Sequence, residues 1–199
     1  LYSTGFELQT TTAGVEWDDV SQPGISISTT TKRSGDASLR SNPSGNRGNI
    51  DQYLPQMAAG QIYYYRFYIY IATAPTSVTS LWETYEGGVA WNIGIRLTTD
   101  RKLRLWDTNN SSQIGSDSSQ LNPATWYRVE VKAVWDDNSV EARIDGTTFA
   151  SGTASVIDSN EFNLGCGSDG NNATADIYFD DVAVNNNSGS YQNSWPGGG

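Results

Sequence analysis

The clearest alternation in the chain runs from Ile62 to Ile71. Tyr63, Tyr65, Phe67, Ile69 and Ile71 fall on one side, and Tyr64, Arg66, Tyr68 and Tyr70 on the other. A period of two predicts a strand with one buried face, because successive side chains of an extended backbone point to opposite sides. A second run, Val89 to Leu97, sets Val89, Trp91, Ile93, Ile95 and Leu97 against Ala90, Asn92, Gly94 and Arg96. The segment Thr98-Thr99-Asp100-Arg101 then turns the chain into Lys102–Trp106, so the two runs predict a hairpin. A further hairpin is predicted from Trp126–Trp135, a turn at Asp136-Asp137-Asn138-Ser139, and Val140–Ile144. Pairing Trp135 with Val140 sets Lys132 opposite Arg143, with Glu130 and Glu141 as neutralising diagonal neighbours. Phe162–Cys166 and Asp176–Val184 complete the predicted strands. Trp91 and Trp126 are assigned to the core.

Helical periodicity is scarce, and turn residues recur about every ten positions, the spacing of an all-β sandwich. Residues 1–184 read as one domain. The run from Asn185 to Gly199, rich in Asn, Ser and Gly, reads as a linker or docking tail with Trp195 as an anchor.

Composition narrows the function. The 199 residues are 37% hydrophobic and 12% aromatic, enough to build a core. The net charge is -10, and the 12 Lys and Arg form no run. Neither nucleic acid nor an anionic membrane is therefore an expected partner. No apolar stretch approaches the ~20 residues of a membrane span. Histidine does not occur, which excludes a Ser-His-Asp or Cys-His triad and a His-ligated zinc. The single Cys166 cannot form an internal disulfide, and beside Leu164 and Gly165 it is expected to be a packed, inert thiol.

Three segments carry a family resemblance. LNPATWYRVEVKAVWDDNSVEARIDGTTFASG resembles the paired strands of concanavalin A-like jelly rolls, the laminin-G-like and glucanase-like sandwiches. STGFE and SGDASLR resemble the opening strands of carbohydrate-binding modules, and IYFDDVAV their closing strand. The tail YFDDVAVNNNSGSYQNSWPG is similar to the ends of lectin-like domains in bacteriophage virion proteins. The fold implied is a two-sheet antiparallel jelly-roll sandwich. By the same resemblance Glu7, Asp36 and Asp180 match residues that hold a structural calcium between first and last strands; the alternative is that the acids at Asp180 and Asp181 bond backbone amides or face solvent.

Glucanases of this fold carry Glu-x-Asp-x-x-Glu on one strand, so that alternation aims the acids into one groove. Here Glu16-Trp17-Asp18-Asp19-Val20-Ser21 ends in Ser21, and Glu83 and Glu86 are three apart, on opposite faces of a strand. The sandwich lyases use a Gln-x-His strand, and histidine is missing. A non-catalytic role is therefore expected. The outward face of the Ile62–Ile71 strand offers Tyr64, Tyr68 and Tyr70 around Arg66. Trp82, Glu83, Tyr85, Asn92, Arg96, Arg104 and Trp106 are expected to extend the same sheet face. Such rings stack on sugars while amides and charges bond hydroxyls, although packing is the alternative use of the same aromatics. The expectation is an extracellular or virion-surface module that binds a glycan or cell-surface polysaccharide. Its rivals are a structural subunit packing against other virion or filament subunits, and a polysaccharide-degrading enzyme.

Overall fold

The computed structural model describes residues 2–21, 23–87, 90–155, 157–167, 173–188 and 194–196, and no helix occurs among them. In chain order the first strands are β1 (Tyr2–Thr4), β2 (Asp19–Ser21), β3 (Ile25–Ser28), β4 (Ser38–Ser41) and β5 (Gly48–Tyr53). Next come β6 (Ile62–Thr73), β7 (Thr79–Glu86), β8 (Ala90–Leu97), β9 (Leu103–Asp107) and β10 (Ser112–Ile114). The chain finishes with β11 (Trp126–Val134), β12 (Ser139–Ile144), β13 (Thr147–Thr153), β14 (Glu161–Cys166) and β15 (Asp176–Asn186). One antiparallel sheet runs β13-β12-β11-β6-β15-β4-β3, with β1 also on β15, and the other runs β10-β9-β8-β7-β14-β5-β2. The predicted all-β, two-sheet sandwich is the fold found.

The sheets meet through the apolar halves of the alternating strands. Tyr65 and Phe67 of β6 reach across to Trp82 of β7, with ring centroids 4.8 and 6.3 Å apart. Around them pack Ile69, Ile71, Leu81, Ile93, Ile95, Phe162, Leu164 and Phe179. Burying each such side chain contributes roughly 1.5–3 kcal/mol. Cys166 is fully buried in the same core.

Register departs from expectation in the β11–β12 hairpin. Val134 pairs with Ser139, so Lys132 lies opposite Glu141, and Glu130 opposite Arg143. The observed register thus replaces the expected like-charge pair with two opposite-charge pairs, which accounts for its preference.

Two tryptophans expected in the core are not there. Trp126 is the cross-strand partner of Tyr70, and the two rings pack 5.4 Å apart on the outer face of the first sheet. Trp91 pairs with Tyr85, at 4.7 Å between rings. A bulge between Glu83 and Tyr85 shifts the β7–β8 register there, so Trp91 shares Tyr85's outer face rather than that of Ile93. Trp195 packs on Tyr64 at 5.4 Å and beneath the Arg143 guanidinium at 4.0 Å, on the outer face of the first sheet. Most of the remaining tail lies outside the described residues.

Candidate active site

The expected single aromatic face is split between the two sheets. Tyr64, Arg66, Tyr68 and Tyr70 lie on β6, in the first sheet, whereas Glu83, Tyr85, Asn92, Arg96 and Trp106 lie on β7–β9, in the second. The β6 group is also largely covered. Trp195 packs on Tyr64, Arg33 stacks 3.7 Å over Tyr68, and Tyr70 sits between Trp126 and Tyr178. Arg66 turns its Nε to the Asp181 carbonyl at 3.3 Å. Trp82, expected outward, is 1% exposed in the core, because the β7 register shift between Ser80 and Trp82 reverses the alternation that Glu83 suggested. Asn92 is buried, with its amide donating to the Asp158 carbonyl.

The outer face of the second sheet carries a different constellation. Cross-strand partners in a sheet point to the same side, and the registers of seven strands bring one row into line: Asp19, Asp51, Asn163, Glu83, Gly94, Trp106 and Gln113. The adjacent row is Tyr53, Glu161, Tyr85 and Trp91. The centre is buried, with Glu161 8%, Asn163 2% and Asn49 3% exposed, while Tyr53 at the rim is 55% exposed. Glycine is required under Glu83. A Cβ on Gly94 would stand 2.7 Å from Glu83 Cγ, so only a bare backbone leaves room for that side chain. Glu83 then faces Arg96 at 4.0 Å and accepts from Thr108 Oγ1 at 3.1 Å, and Arg96 stacks 4.3 Å over Trp106.

Asp51 and Glu161 form the chemical centre. Asn163 Nδ2 donates to Asp51 Oδ1 and also to Glu161 Oε1 at 3.4 Å. Their carboxylates therefore stand within a few ångströms of one another. Asn49 Nδ2 adds a 2.6 Å bond to the same Asp51 oxygen. Burial, and then the charge of Asp51, push the Glu161 carboxyl up to about 7. Burial also raises Asp51, against the pull of the Asn163 and Asn49 amides. Asp18 holds the rim in place, accepting from Gln52 Nε2 at 2.6 Å and from the Tyr53 amide at 2.8 Å.

None of Asp51, Glu161, Asn163, Asn49 and Tyr53 was singled out from the sequence. The signal existed in two strands. GNIDQY alternates Asn49, Asp51 and Tyr53 against Ile50, and EFNLGC alternates Glu161 and Asn163 against Phe162 and Leu164. Starting the second strand at Phe162 left Glu161 outside it.

The residues expected to hold calcium do come together, around the loop from Lys32 to Asp36. Glu7 Oε2 accepts from the Asp36 amide at 2.6 Å. Asp180, fully buried, accepts from the Arg33 and Ser34 amides at 2.8 and 3.3 Å and from the Asp181 amide at 2.8 Å. Burial still pushes the Asp180 carboxyl up to about 6. Asp181 is tied to the Arg33 guanidinium and to Ser34 Oγ. Among the described residues no group of three acidic or thiol side chains is arranged to hold a metal. The donor set as it stands clamps a loop through its own N–H groups, and an ion there would have to displace them.

The fold defines the class: a two-sheet antiparallel jelly-roll sandwich. The chain is similar to the cellulose induced protein Cip1, with a TM-score of 0.73 and 16% identity over 100% of both chains. It is also similar to the alginate lyase AlgAT5 of polysaccharide lyase family 7, with a TM-score of 0.61 and 12% identity over 88% of each chain. A sialidase from Trypanosoma rangeli matches at a TM-score of 0.59 and 14% identity, over 80% of this chain but only 26% of the sialidase. No protein-family model and no curated protein matches the chain. At these identities the likeness is one of fold.

The expectation of a non-catalytic module is overturned. The fold is shared nearly end to end with an enzyme, the alginate lyase, and the paired acids whose absence supported that expectation are present on the second sheet. They escaped a search for one-strand motifs because they come from β5 and β14.

Proposed function

We propose that the chain is a polysaccharide-cleaving enzyme that hydrolyses an uncharged sugar chain at the Asp51–Glu161 pair. The observation that carries this reading is the shared Asn163 amide, which holds two carboxylates of unlike environment, half-buried Asp51 and buried Glu161, side by side on the outer face of the second sheet. Retaining glycosidases need two such groups about 5–5.5 Å apart, one to attack and one to donate a proton. Glu161, held protonated near neutrality, gives its proton to the glycosidic oxygen as that bond breaks. Asp51, ionised, bonds to the anomeric carbon. Glu161 then takes a proton from water, which displaces Asp51 and restores both groups. Tyr53 and Tyr85 flank Glu161 in register and supply rings for the sugars on either side.

Charge favours hydrolysis of a neutral polymer over elimination from a uronate. Asp18, Asp19, Asp51 and Glu161 crowd one end of the face, Arg96 faces Glu83, and Arg104 is bidentate to Asp117. A uronate carboxylate would meet repulsion there. An extracellular site of action belongs to the same proposal, since polymers of this kind lie outside cells. The test is release of reducing ends from β-glucan, xylan, mannan and alginate. Cleavage of a neutral polymer that disappears in Glu161→Gln supports the reading. Cleavage of alginate alone, with unsaturated products, would overturn it.

A further inference from the structure

The two acids are not treated alike by their neighbours. Among the described residues, Asp51 Oδ1 accepts from the side-chain amides of both Asn49 and Asn163, whereas Glu161 receives only the longer, 3.4 Å reach of Asn163. Asn163 stands between Asp51 and Glu83 in register and is 2% exposed, so packing holds the amide in place. An N–H donated to a carboxylate favours its ionised form, and a nearby negative charge disfavours a second ionisation. Two close acids titrate as a coupled pair, and a fixed asymmetry of donors decides which of them keeps the shared proton.

We propose that Asn163, seconded by Asn49, is a positioning residue that assigns the proton to Glu161 and the negative charge to Asp51. The inference rests on the catalytic reading of this pair but concerns a separate property, the order in which the acids ionise. The other charged or titratable groups facing the pair act through space and in part in the same sense, without a direct hydrogen bond to either acid among those described. Asp18 and Asp19, from the β2 side, raise Glu161, and Asp19 raises Asp51 as well, while Arg47 lowers Asp51. Tyr53 of β5 lies beside Glu161 in register, as does Tyr85 of β7. Glu83 of β7 is engaged by Arg96 and Thr108. Among the described residues, only the two amides distinguish one carboxylate from the other by direct hydrogen bonds.

The test is a carboxyl NMR titration of the full chain labelled at Asp and Glu side chains, which needs no substrate. Asp51 and Glu161 are assigned through Asp51→Asn and Glu161→Gln. In the native chain Asp51 is expected to ionise first and Glu161 last. In Asn163→Ser the Asp51 midpoint should rise by roughly one pH unit, and the Glu161 midpoint should fall towards it. If Asn163→Ser does not fold, Asn49→Ser carries the same test, with a rise at Asp51. Unmoved midpoints in a folded variant, even one with a lowered melting temperature, would mean a merely structural amide and would overturn the proposal. A native chain that cleaves no polysaccharide but shows the predicted titration order would overturn the catalytic reading and leave the proton assignment standing.

Discussion

Asp51 and Glu161, from strands far apart in the chain, accept hydrogen bonds from one amide nitrogen, that of Asn163. If the proposed reaction runs at this pair, loss of either acid is decisive for it. Glu161→Gln keeps size and shape but has no proton to give, and Asp51→Asn keeps shape but cannot attack. General acid–base participation contributes about 10²–10⁴-fold, so each variant should lose at least that factor in kcat. Reducing-end release at fixed enzyme concentration measures it. Retention of more than a tenth of native kcat in Glu161→Gln would remove Glu161 as the acid.

The same acid should cost the folded state stability. Its folded midpoint, about 7, lies above the ordinary 4.5. Between those values the folded chain holds a proton that the unfolded chain has released. Stability should therefore be greatest below pH 4.5, fall through the window and level off above pH 7. In Glu161→Gln the contribution of Glu161 to that slope should be lost, leaving the part from Asp180 and Asp51 and making the variant more stable at pH 8 by about 1–3 kcal/mol. Denaturant melts from pH 4 to 8 check it, and an unchanged slope in the variant would contradict the assignment.

How far the sequence reveals this protein depends on how local the signal is. The strands at Ile62 and Trp126, and the hairpin over Thr98–Arg101, follow from alternation and turn residues within a few positions of one another. The faces of Trp82 and Trp91 do not. Each depends on a register shift in the β7–β8 pairing, and one inserted residue inverts every side chain beyond it. The acid pair was out of reach for a different reason. Neither Asp51 nor Glu161 has a second acid in phase with it on its own strand, and only the sheet order β7-β14-β5 brings them together. Glu7, Asp36 and Asp180 were marked by resemblance, and the structure gathers them around one loop.

Gly94 tests the construction of the second sheet's outer face. In Gly94→Ala the new methyl would stand 2.7 Å from Glu83 Cγ and 3.1 Å from the Trp82 carbonyl oxygen. Glu83 is fully buried and must give way, which also disturbs the Arg96–Trp106 stack. Overpacking of this kind costs about 1–3 kcal/mol. A matching fall in the denaturation midpoint, with a change in tryptophan fluorescence, is the expected result; a native-like melt would show that the face is looser than described.

The loop clamp should respond to loss of its central acid. Asp180→Ala leaves the Arg33, Ser34 and Asp181 amides without their buried acceptor, a cost of about 1–3 kcal/mol for an unsatisfied group. A structural calcium at Glu7, Asp36 and Asp180, as the family resemblance implied, would have to displace the amides from which Glu7 and Asp180 now accept. It requires a rise in melting temperature with calcium that Asp180→Ala abolishes. Identical melts in calcium and in chelator would dispose of the ion and leave the clamp.

Tyr53 separates binding from folding. Its ring is 55% exposed and is the cross-strand neighbour of Glu161, so the proposed reaction would set it against the sugar next to the cleaved bond. Removing an exposed ring changes stability by less than about 0.5 kcal/mol, whereas losing an aromatic stacking partner costs about 0.5–1.5 kcal/mol of binding. Tyr53→Ala should therefore keep the native melting temperature and raise KM by about 2- to 13-fold, with kcat little changed. Affinity electrophoresis in gels containing the cleaved polymer reads the same loss without turnover. If the variant migrates and turns over like the native chain, the sugar does not pass over β5, and the polymer path along Tyr53, Glu161, Tyr85 and Trp91 must be redrawn.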